Sequence, residues 1–504
     1  MIFEVIVILL VFTMFRFFLV RGVASEESYH VNISKFLKDK RLCLNGENTI
    51  FIPRGRYSNP ILYHYLVSFI PVNYINSKTL RIINCIYDLG TIVIFYLYTK
   101  DSFGEYYIVV YGNSINFPFL LAVSMCFMPA LIPLNSRTRG GGARTMGLFL
   151  NTIYFIFLYE FTTEHNPFIM SVCVICLFAL LFSGQFGHQV SVFGTVVISL
   201  IRFDYYFIIP LSIYILLCTI ISNHLRAFFW CKFLAHYRYY TKIMKGTIVE
   251  DRKKNLLNLP FHNGSLSIDK SKIRKFIYLS PVYFIPCLYF PTIYSACTAF
   301  ISNANLPSYV IYCQYISLSM VIVGFVTFWY PFSVFGQSER YLEFATPFSL
   351  LSFLYMLNGS NAVEILVLFS LLISFFHLFL LNRKSKDSSS PDLKDNEKVF
   401  IEQLGDATIL VSPYKRTFDC FETSSENIRY FMPLINTNSR SNWNENYSLF
   451  EYYSHYKSDW EKWNEKYEVT YLLVHNRKNM ESNTDFKSLE LLKKFQNYYL
   501  YKIP

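Results

Sequence analysis

The sequence predicts a polytopic α-helical membrane protein of about 9 to 13 spans, followed by a small C-terminal α/β soluble domain. Of the 504 residues, 53% are hydrophobic and 19% are aromatic, whereas 16% are charged. This is more apolar surface than a soluble core can bury. Apolar segments of span length recur up to about residue 382, where the composition becomes polar. We therefore predict a membrane domain at 1–382, a polar linker at 383–398 and a soluble domain at 399–504.

The first apolar segment, MIFEVIVILLVFTMFRFFLV, is predicted to be a retained spanning helix. A cleaved signal peptide is the alternative, because small residues follow the segment at GVAS. The length of the segment, the late position of Arg16 and the lack of a basic start favour the helix. The polar residues 22–78 are too many for a hairpin connection, so they predict a first external loop with interfacial helices.

Further apolar segments continue the membrane domain, and most of them have the length of a spanning helix. They cover residues 79–99, 105–134, 145–163, 166–184, 187–203, 205–222, 276–300, 306–332, 343–358 and 361–382. If each one crosses, alternation places the polar residues 22–78, 135–144 and 333–342 and the C-terminal tail on one external face. The basic residues 223–275 then lie outside as well, against the positive-inside tendency.

Charge and cysteine content exclude two other classes of protein. The net charge is +11, but the basic residues lie between apolar segments, as expected for contacts with lipid headgroups. A nucleic-acid-binding protein would need a soluble basic face, so no nucleic-acid partner is predicted. Most cysteines lie within apolar segments and are predicted to be buried rather than disulfide-bonded. Cys173 and Cys176 have redox spacing, yet a position inside a span favours a structural role.

The tail predicts a small α/β domain that serves as an accessory module. ATILVSP, VTYLLVHN and YYLYKI are typical of strands, and KSLELLKKF has the apolar spacing of a helix. The tail contains no glycine-rich phosphate loop and no histidine or cysteine cluster with metal-ligand spacing. No cofactor is predicted for the chain, although the sequence leaves a divalent metal open.

The first polar motif with chemical potential is SEESYH. It places Glu26 and Glu27 directly after the first span, with Tyr29 and His30 within the next turn. A solvated acidic loop is the structural alternative. The second motif favours a functional role for these residues over a solvated loop, because it would bring a cation to the same membrane interface.

The second motif is GRYSNPILYHYLVSFIPV at residues 55–72. Arg56 and Tyr57 precede an Asn-Pro helix start, and Tyr63 and His64 lie in the aromatic stretch that follows. This stretch lies just ahead of the next span. The two motifs together predict a carboxylate and a guanidinium at one membrane surface.

Two further motifs contain arginines beside spans. LNSRTRGGGARTMG surrounds three glycines with Arg137, Arg139 and Arg144. Glycines let the backbone approach a ligand closely, and arginines fit phosphate oxygens, although a positive-inside loop explains this stretch equally well. FGQSERYLEFATP places Arg340 and Tyr341 next to another span, with acids on either side. Because an arginine at headgroup depth is costly unless it is paired, Arg340 is a functional candidate.

These motifs carry a resemblance to a known family. SEESYHVNISKFLKD, RYSNPILYHYLVS and SKTLRIINCIYDLGTIVIFYLYTK resemble the first external loop and second span of family 39-like glycosyltransferases of the GT-C superfamily. That group includes the protein O-mannosyltransferases and the lipid A aminoarabinose transferases. The resemblance covers roughly the first 100 residues in sequence and the remainder in architecture. It implies that residues 1–382 form a GT-C-like catalytic membrane domain.

The resemblance implies transfer of a sugar from a polyprenyl-phosphate-linked donor to an acceptor on the external or lumenal side. By position, Glu26 matches the family's catalytic base and Glu27 its neighbour. The family pair usually begins with Asp, so Glu26 leaves the assignment open between the two acids. The residues predicted to bind the donor phosphate are Arg56, Arg137, Arg139, Arg144 and Arg340. The residues predicted to line the substrate site are Tyr29, His30, Tyr57, Tyr63, His64 and Tyr341.

The predicted partners are the lipid-linked donor, membrane lipids and an acceptor glycan, lipid or protein. The predicted location is the inner (plasma) membrane of a bacterium or the endoplasmic reticulum of a eukaryote. A transporter or flippase of lipid-linked substrates is the first alternative, and it predicts midplane charges and pseudo-symmetric halves. Asp204 beside Arg202 fits that class, although an ion pair at a span break explains it more simply. A non-catalytic membrane scaffold is the second alternative.

Overall fold

A computed structural model of the chain describes most of the apolar segments and parts of the polar ones. The described residues are 2–20, 27–40, 51–52, 61–128, 130–131, 142–223, 225–226, 229–230, 289–301, 306–328, 335, 338–358, 362–386, 393–412, 417–420, 425, 427–432, 450–452, 455–456, 460–475 and 489–504. The chain divides into two compact units. The helical unit contains 1–22, 81–220 and 248–387, and the sheet unit contains 23–80, 221–247 and 388–504.

The described part of the chain is mostly helical, with its main sheet built largely from the C-terminal region. The helices are α1 (Ile2–Val20), α2 (Glu27–Lys38), α3 (Leu62–Ser68), α4 (Ser77–Phe103), α5 (Phe117–Phe127), α6 (Arg144–Glu164), α7 (Pro167–Ser183), α8 (Gln185–Arg202), α9 (Ile209–Ile220), α10 (Phe290–Thr298), α11 (Ser308–Phe328), α12 (Ser338–Met356), α13 (Ala362–Lys386), α14 (Asp395–Glu402), α15 (Thr417–Cys420) and α16 (Trp460–Tyr467). The strands are β1 (Phe51–Ile52), β2 (Tyr107–Val110), β3 (Asn113–Asn116), β4 (Ala407–Ser412), β5 (Ile428–Phe431), β6 (Phe450–Tyr452), β7 (His455–Tyr456), β8 (Tyr471–His475), β9 (Glu490–Lys494) and β10 (Tyr498–Lys502).

Two of the described helices combine the length and the apolar composition that a bilayer crossing requires, Ser77–Phe103 and Ser308–Thr327. Shorter apolar helices accompany them, among them Pro167–Ser183 and Ala362–Ile373. The mostly helical architecture that the sequence predicts is confirmed, whereas the bounds of the membrane domain stay a prediction. The full number of spans stays a prediction.

Four helices of the helical unit, α4, α6, α8 and α12, run in the same direction. In each pair of helices, a later residue of one helix contacts a later residue of the other. These contacts are Tyr87 with Phe149, Tyr98 with Glu160, Asn151 with Ser191, Tyr154 with Thr195, Arg144 with Glu343 and Phe155 with Phe348. Their N-terminal ends therefore meet at one end of the unit. We call it the basic end, because Arg81, Arg144 and Arg340 lie there.

Helix α1 runs against α4 and is tied to it by two ion pairs. Glu4 pairs with Lys100 at 2.8 Å near the end of α4. Arg16 donates through Nε to Asp88 at 2.8 Å, and the two side chains are 2% and 3% exposed. A buried charge in an apolar bundle is stable only when it is paired, so the inner pair fixes the position of α1 against α4.

The expected span at 105–134 is wrong in its first third. Residues 107–116 form a β-hairpin of β2 and β3, and the helix that follows, α5, begins only at Phe117. The two turn residues, Tyr111 and Gly112, have φ angles of 48° and 75°. Positive φ at both central residues is the requirement of a type I′ hairpin turn. Tyrosine rarely occupies the first of these positions, which is why YG did not mark a turn in the sequence.

The predicted ion pair between Arg202 and Asp204 is also wrong. The carboxylate of Asp204 accepts a hydrogen bond from the backbone N–H of Tyr206 at 3.0 Å. Asp204 thereby caps the short 3₁₀ helix Tyr205–Ile208. The guanidinium of Arg202 lies 5.1 Å over the ring of Tyr315. A cap satisfies an otherwise free backbone donor, so the acid serves the local turn.

The sheet unit contains a six-stranded sheet with strand order β1-β5-β4-β8-β10-β9. Strands β1, β5, β4 and β8 are parallel, and β10 is antiparallel to both of its neighbours. The predicted strands at ATILVSP, VTYLLVHN and YYLYKI are confirmed as β4, β8 and β10. The first polar loop also joins this unit, because Phe51 pairs with Tyr430 and because Ile33 of α2 packs in the same core as the strands.

The predicted helix at KSLELLKKF is wrong, because residues 490–494 form the edge strand β9. Its backbone pairs antiparallel with β10, with Lys494 opposite Tyr499. Leucines at 489, 491 and 492 suit one helical turn as well as a short strand, so pairing with a neighbour decides between them. Glu490, Lys493 and Lys494 put charge on this free edge, which disfavours pairing with another chain.

Helices α10, α11 and α12 are joined by a network of buried serines. Ser317 of α11 bonds to Ser295 at 2.9 Å and to Ser349 at 2.8 Å, and Ser295 also bonds to Ser352. All four hydroxyls are fully buried. Hydrogen bonds between helices in apolar surroundings favour association, so the network fixes the packing of these three helices.

Replacing Ser317 with alanine is expected to lower the free energy of unfolding by about 1 kcal/mol, because two interhelical bonds are lost. Thermal unfolding in detergent measures the effect. Ser319→Ala is the matched control, since the bond that its hydroxyl makes within the described residues is to the carbonyl of Ile316 in the same helix. Equal losses in the two variants would contradict a role of the network between helices.

Candidate functional site

The basic end of the helical unit collects helix N-termini and arginines. Arg144 is the first residue of α6, and Arg340 lies in the first turn of α12. Helix N-termini carry free N–H groups and a partial positive charge, so acidic residues are favoured there and basic ones are not. These two arginines oppose that preference. An end built in this way attracts an anion.

An ion pair between Arg144 and Glu343 joins α6 to α12 at the basic end. Nη2 of Arg144 donates to Oε2 of Glu343. The side chain of Glu343 is 3% exposed, whereas that of Arg144 is 19% exposed. The guanidinium therefore neutralises a buried carboxylate and still reaches solvent, and its Nε has no partner among the described residues.

Arg340 is held by an aromatic ring. Its guanidinium carbon lies 4.0 Å from the centroid of Phe186, near the start of α8. Stacking on a ring holds the planar guanidinium in one orientation. Arg340 precedes Glu343 by three residues, so about one helical turn separates the two on the surface of α12. The structure thus brings the predicted residues Arg144 and Arg340 to one end of one unit.

The side chain of Tyr341, unlike that of the preceding Arg340, is fully buried. Its hydroxyl donates to the backbone oxygen of Phe335 at 2.7 Å. This bond ties the start of α12 to the residue before it in the described chain. In this structure the side chain of Tyr341 packs inside the unit.

Buried polar side chains of α4 and α6 were not predicted from the sequence. Asn84 accepts a hydrogen bond from the hydroxyl of Thr145 at 3.2 Å, and both residues are fully buried. Asp88 lies one turn further along α4, in its pair with Arg16. A lone acid in one apolar segment and a lone cation in another are the signal that could have predicted this pair.

In the sheet unit, α2 and α3 bring together the aromatic residues of the first two motifs. Nδ1 of His30 and Nε2 of His64 are 2.7 Å apart, and the rings are stacked with centroids 5.0 Å apart. Tyr29 and Tyr63 meet these rings edge-on. The structure therefore brings these four residues of the two N-terminal motifs together.

Burial keeps the two histidines neutral at pH 7. It lowers the pKa of His30 from 6.5 to about 4. Burial also lowers the pKa of His64 well below its ordinary value, with a further contribution from the charge of His30. One neutral ring then donates its N–H to the unprotonated nitrogen of the other. A proton on both rings would break this bond.

The remaining predicted site residues lie outside the described part of the chain. These are Glu26, Arg56, Tyr57, Arg137 and Arg139. Glu27 is the first residue of α2, and its side chain is not among the described atoms. Within the described residues, no group of three or more histidine, cysteine or acidic side chains could hold a metal ion.

The histidine pair predicts a loss of stability in acid. The unfolded chain binds a proton at His30 near pH 6.5, whereas the folded chain does so only near pH 4. The free energy of unfolding therefore falls as the pH drops through this window, by at most about 3 kcal/mol for His30. Thermal unfolding at a series of pH values should show a smaller acid loss for His30→Gln than for the unchanged protein. The same pH dependence in both proteins would refute this assignment.

No protein-family model matches the chain, and no curated protein sequence matches it. Solved structures do. The oligosaccharyltransferase of Archaeoglobus fulgidus, crystallised with a tethered acceptor peptide containing the NVT sequon, is 12% identical with a TM-score of 0.50. The similarity covers 93% of this chain and 69% of that one. ArnT from Cupriavidus metallidurans bound to undecaprenyl phosphate is 11% identical over 100% of this chain and 98% of that chain, with a TM-score of 0.41. The similarity to the oligosaccharyltransferase shows that the two chains share a fold.

Proposed function

We propose that the chain is an integral membrane glycosyltransferase that moves a sugar from a polyprenyl-phosphate-linked donor to an acceptor. The observation that carries the proposal is the basic end, where Arg144 and Arg340 lie at N-termini of parallel helices. The GT-C fold supports the same class of reaction. The membrane is the inner (plasma) membrane in a bacterium or the endoplasmic reticulum in a eukaryote, with the reaction on the external or lumenal side.

The donor phosphate binds at the basic end. A polyprenyl phosphate brings at least one negative charge to headgroup depth, and a planar guanidinium can hold two of its oxygens. Arg144 is anchored on one side by Glu343 and is partly exposed on the other, and Arg340 is held in one orientation by Phe186. From the sequence, Arg56, Arg137 and Arg139 complete this set.

Glu26 acts as the base, with Glu27 as its neighbour. The carboxylate accepts the proton of the acceptor while the acceptor atom forms a bond to the sugar carbon. The bond between that carbon and the phosphate oxygen breaks, and the electron pair leaves with the lipid phosphate. The arginines stabilise the negative charge that develops on this leaving group. A direct displacement of this kind needs no covalent sugar intermediate.

The aromatic residues of the first loop contact the sugar or the acceptor. Tyr29, His30, Tyr57, Tyr63 and His64 are the candidates from this loop, and Tyr341 of α12 is the predicted candidate outside it. The stacked pair His30 and His64 is neutral at pH 7 and adds no charge beside the sugar. Flat aromatic surfaces suit the apolar face of a sugar ring.

Replacing Glu26 with glutamine is expected to abolish transfer, because the amide keeps the shape but cannot accept a proton. Expression and donor binding should persist. Transfer from a purified polyprenyl-phosphate sugar in detergent, normalised to folded protein, measures the effect. Glu27→Gln is the matched control and should lose less activity. Full turnover by Glu26→Gln would overturn the assignment of the base.

Replacing Arg340 with alanine is expected to raise the donor KM by about tenfold or more, because a guanidinium contact to phosphate is lost. Arg340→Lys should recover only part of the loss, since lysine keeps the charge without the planar fork. Kinetics with varied donor, normalised to folded protein, measure both variants.

Arg202→Ala is the matched control for Arg340. Arg202 also lies over an aromatic ring, that of Tyr315, but it ends α8 at the opposite end of the unit. Its loss should leave the donor KM unchanged. An unchanged KM in Arg340→Ala, or the same rise in both alanine variants, would rule out a phosphate contact at Arg340.

A further inference from the structure

The β2–β3 hairpin presents an apolar face to the outside of the helical unit. Tyr107, Val109 and Tyr111 are 54%, 51% and 62% exposed, whereas Ile108 and Val110 between them are buried. Alternate residues of a strand point to opposite sides. One side of the hairpin therefore packs on the protein, and the other displays three large apolar side chains.

The hairpin is held firmly in this orientation. The backbone N–H of Tyr111 donates to the carboxylate of Glu364, at the start of α13, at 2.5 Å. The ring of Tyr106 stacks on that of Tyr355 in α12, with centroids 4.8 Å apart. A two-stranded hairpin is marginal in water by itself, so these contacts hold it in place. The exposed face is thus a fixed surface of the fold.

Other exposed aromatic side chains lie at the same end of the unit. This end, which we call the hairpin end, lies opposite the basic end, where α4, α6, α8 and α12 terminate. The side chains are at least 65% exposed and flank helix ends: Phe3, Phe168, Phe203, Tyr205 and Phe300. Exposed aromatic residues also occur elsewhere on the unit.

The sides of the helices next to this end are apolar and exposed as well. Leu97 of α4, Ile175 of α7, Leu200 of α8, Leu216 of α9 and Ile365 of α13 are each more than half exposed. Apolar side chains on the outside of a helix bundle suit acyl chains. Tyrosines at the border of such a surface suit the layer where acyl chains meet headgroups, because the ring is apolar and the hydroxyl is polar.

We propose that the hairpin is a membrane-interface anchor, whose face of Tyr107, Val109 and Tyr111 inserts between the headgroups and acyl chains of a zwitterionic bilayer. The apolar helix sides continue this surface into the acyl region. Among the described residues at this end, the exposed acids Asp101, Glu105 and Glu164 outnumber the exposed cation Arg202, so a zwitterionic surface suits it better than a strongly anionic one. The anchor is independent of glycosyl transfer, since it lies at the end opposite Arg144 and Arg340.

Tryptophan fluorescence of the full chain in phosphatidylcholine vesicles tests the anchor. Tyr111→Trp and Tyr107→Trp each add one fluorophore to the face, and subtraction of the unchanged protein removes the five native tryptophans. Lipid brominated near the headgroup should quench the added emission at least about twofold more than lipid brominated deep in the chain. Aqueous iodide should quench it weakly.

Two further tryptophans serve as controls. Ile175→Trp, midway along α7, should be quenched most by deep bromine, which establishes insertion of the bundle separately. Leu491→Trp, on the exposed edge strand of the sheet unit, has a similar exposure in the parent residue, and iodide should quench it strongly. Iodide quenching at positions 107 and 111 as strong as at 491, with little quenching by brominated lipid, would overturn the anchor even if position 175 lies in the membrane.

Discussion

The ion pair between Arg144 and Glu343 is the interaction on which the basic end depends. Glu343 is buried in an apolar bundle, where an uncompensated carboxylate is strongly destabilising, by about 3 to 5 kcal/mol when a partner is removed. The pair therefore fixes the start of α6 against α12. It also fixes Arg340, one helical turn away, at the same end. The Arg144–Glu343 pair thus stabilises the helix packing and also positions the proposed donor site.

A second buried pair, Arg16 with Asp88, performs the same task for α1. Arg16 also donates to the backbone oxygen of Cys126 at 3.1 Å, so it connects α1 to both α4 and α5. Both pairs use arginine, whose planar group satisfies several acceptors at once. In the described part of the helical unit, both of these pairs therefore connect neighbouring helices. This pattern explains why a chain with so much apolar surface still has a defined packing.

The sequence predicted what depends on local pattern. The apolar segments predicted the helices, β-branched runs predicted β4 and β8, and the arginines at 144 and 340 were found as motifs beside spans. Pairing between distant residues was not predictable in the same way. The type I′ turn at Tyr111 lacks its usual asparagine, and β9 depends on its partner strand rather than its own leucines. The ion pair of Glu343 with Arg144, 199 positions away, was not predicted. The base at Glu26 remains a prediction from the first motif.

Binding of a polyprenyl phosphate to the purified protein tests the role of the basic end most directly. The double variant Arg144→Ala with Glu343→Gln removes the guanidinium without leaving a buried charge, so it should remain folded. Its affinity for the lipid phosphate should be weaker by about tenfold or more, as expected for the loss of a charged contact to phosphate. Arg202→Ala, at the opposite end, should bind as the unchanged protein does. A folded double variant that binds lipid phosphate with unchanged affinity would contradict the assignment of the donor site to this end.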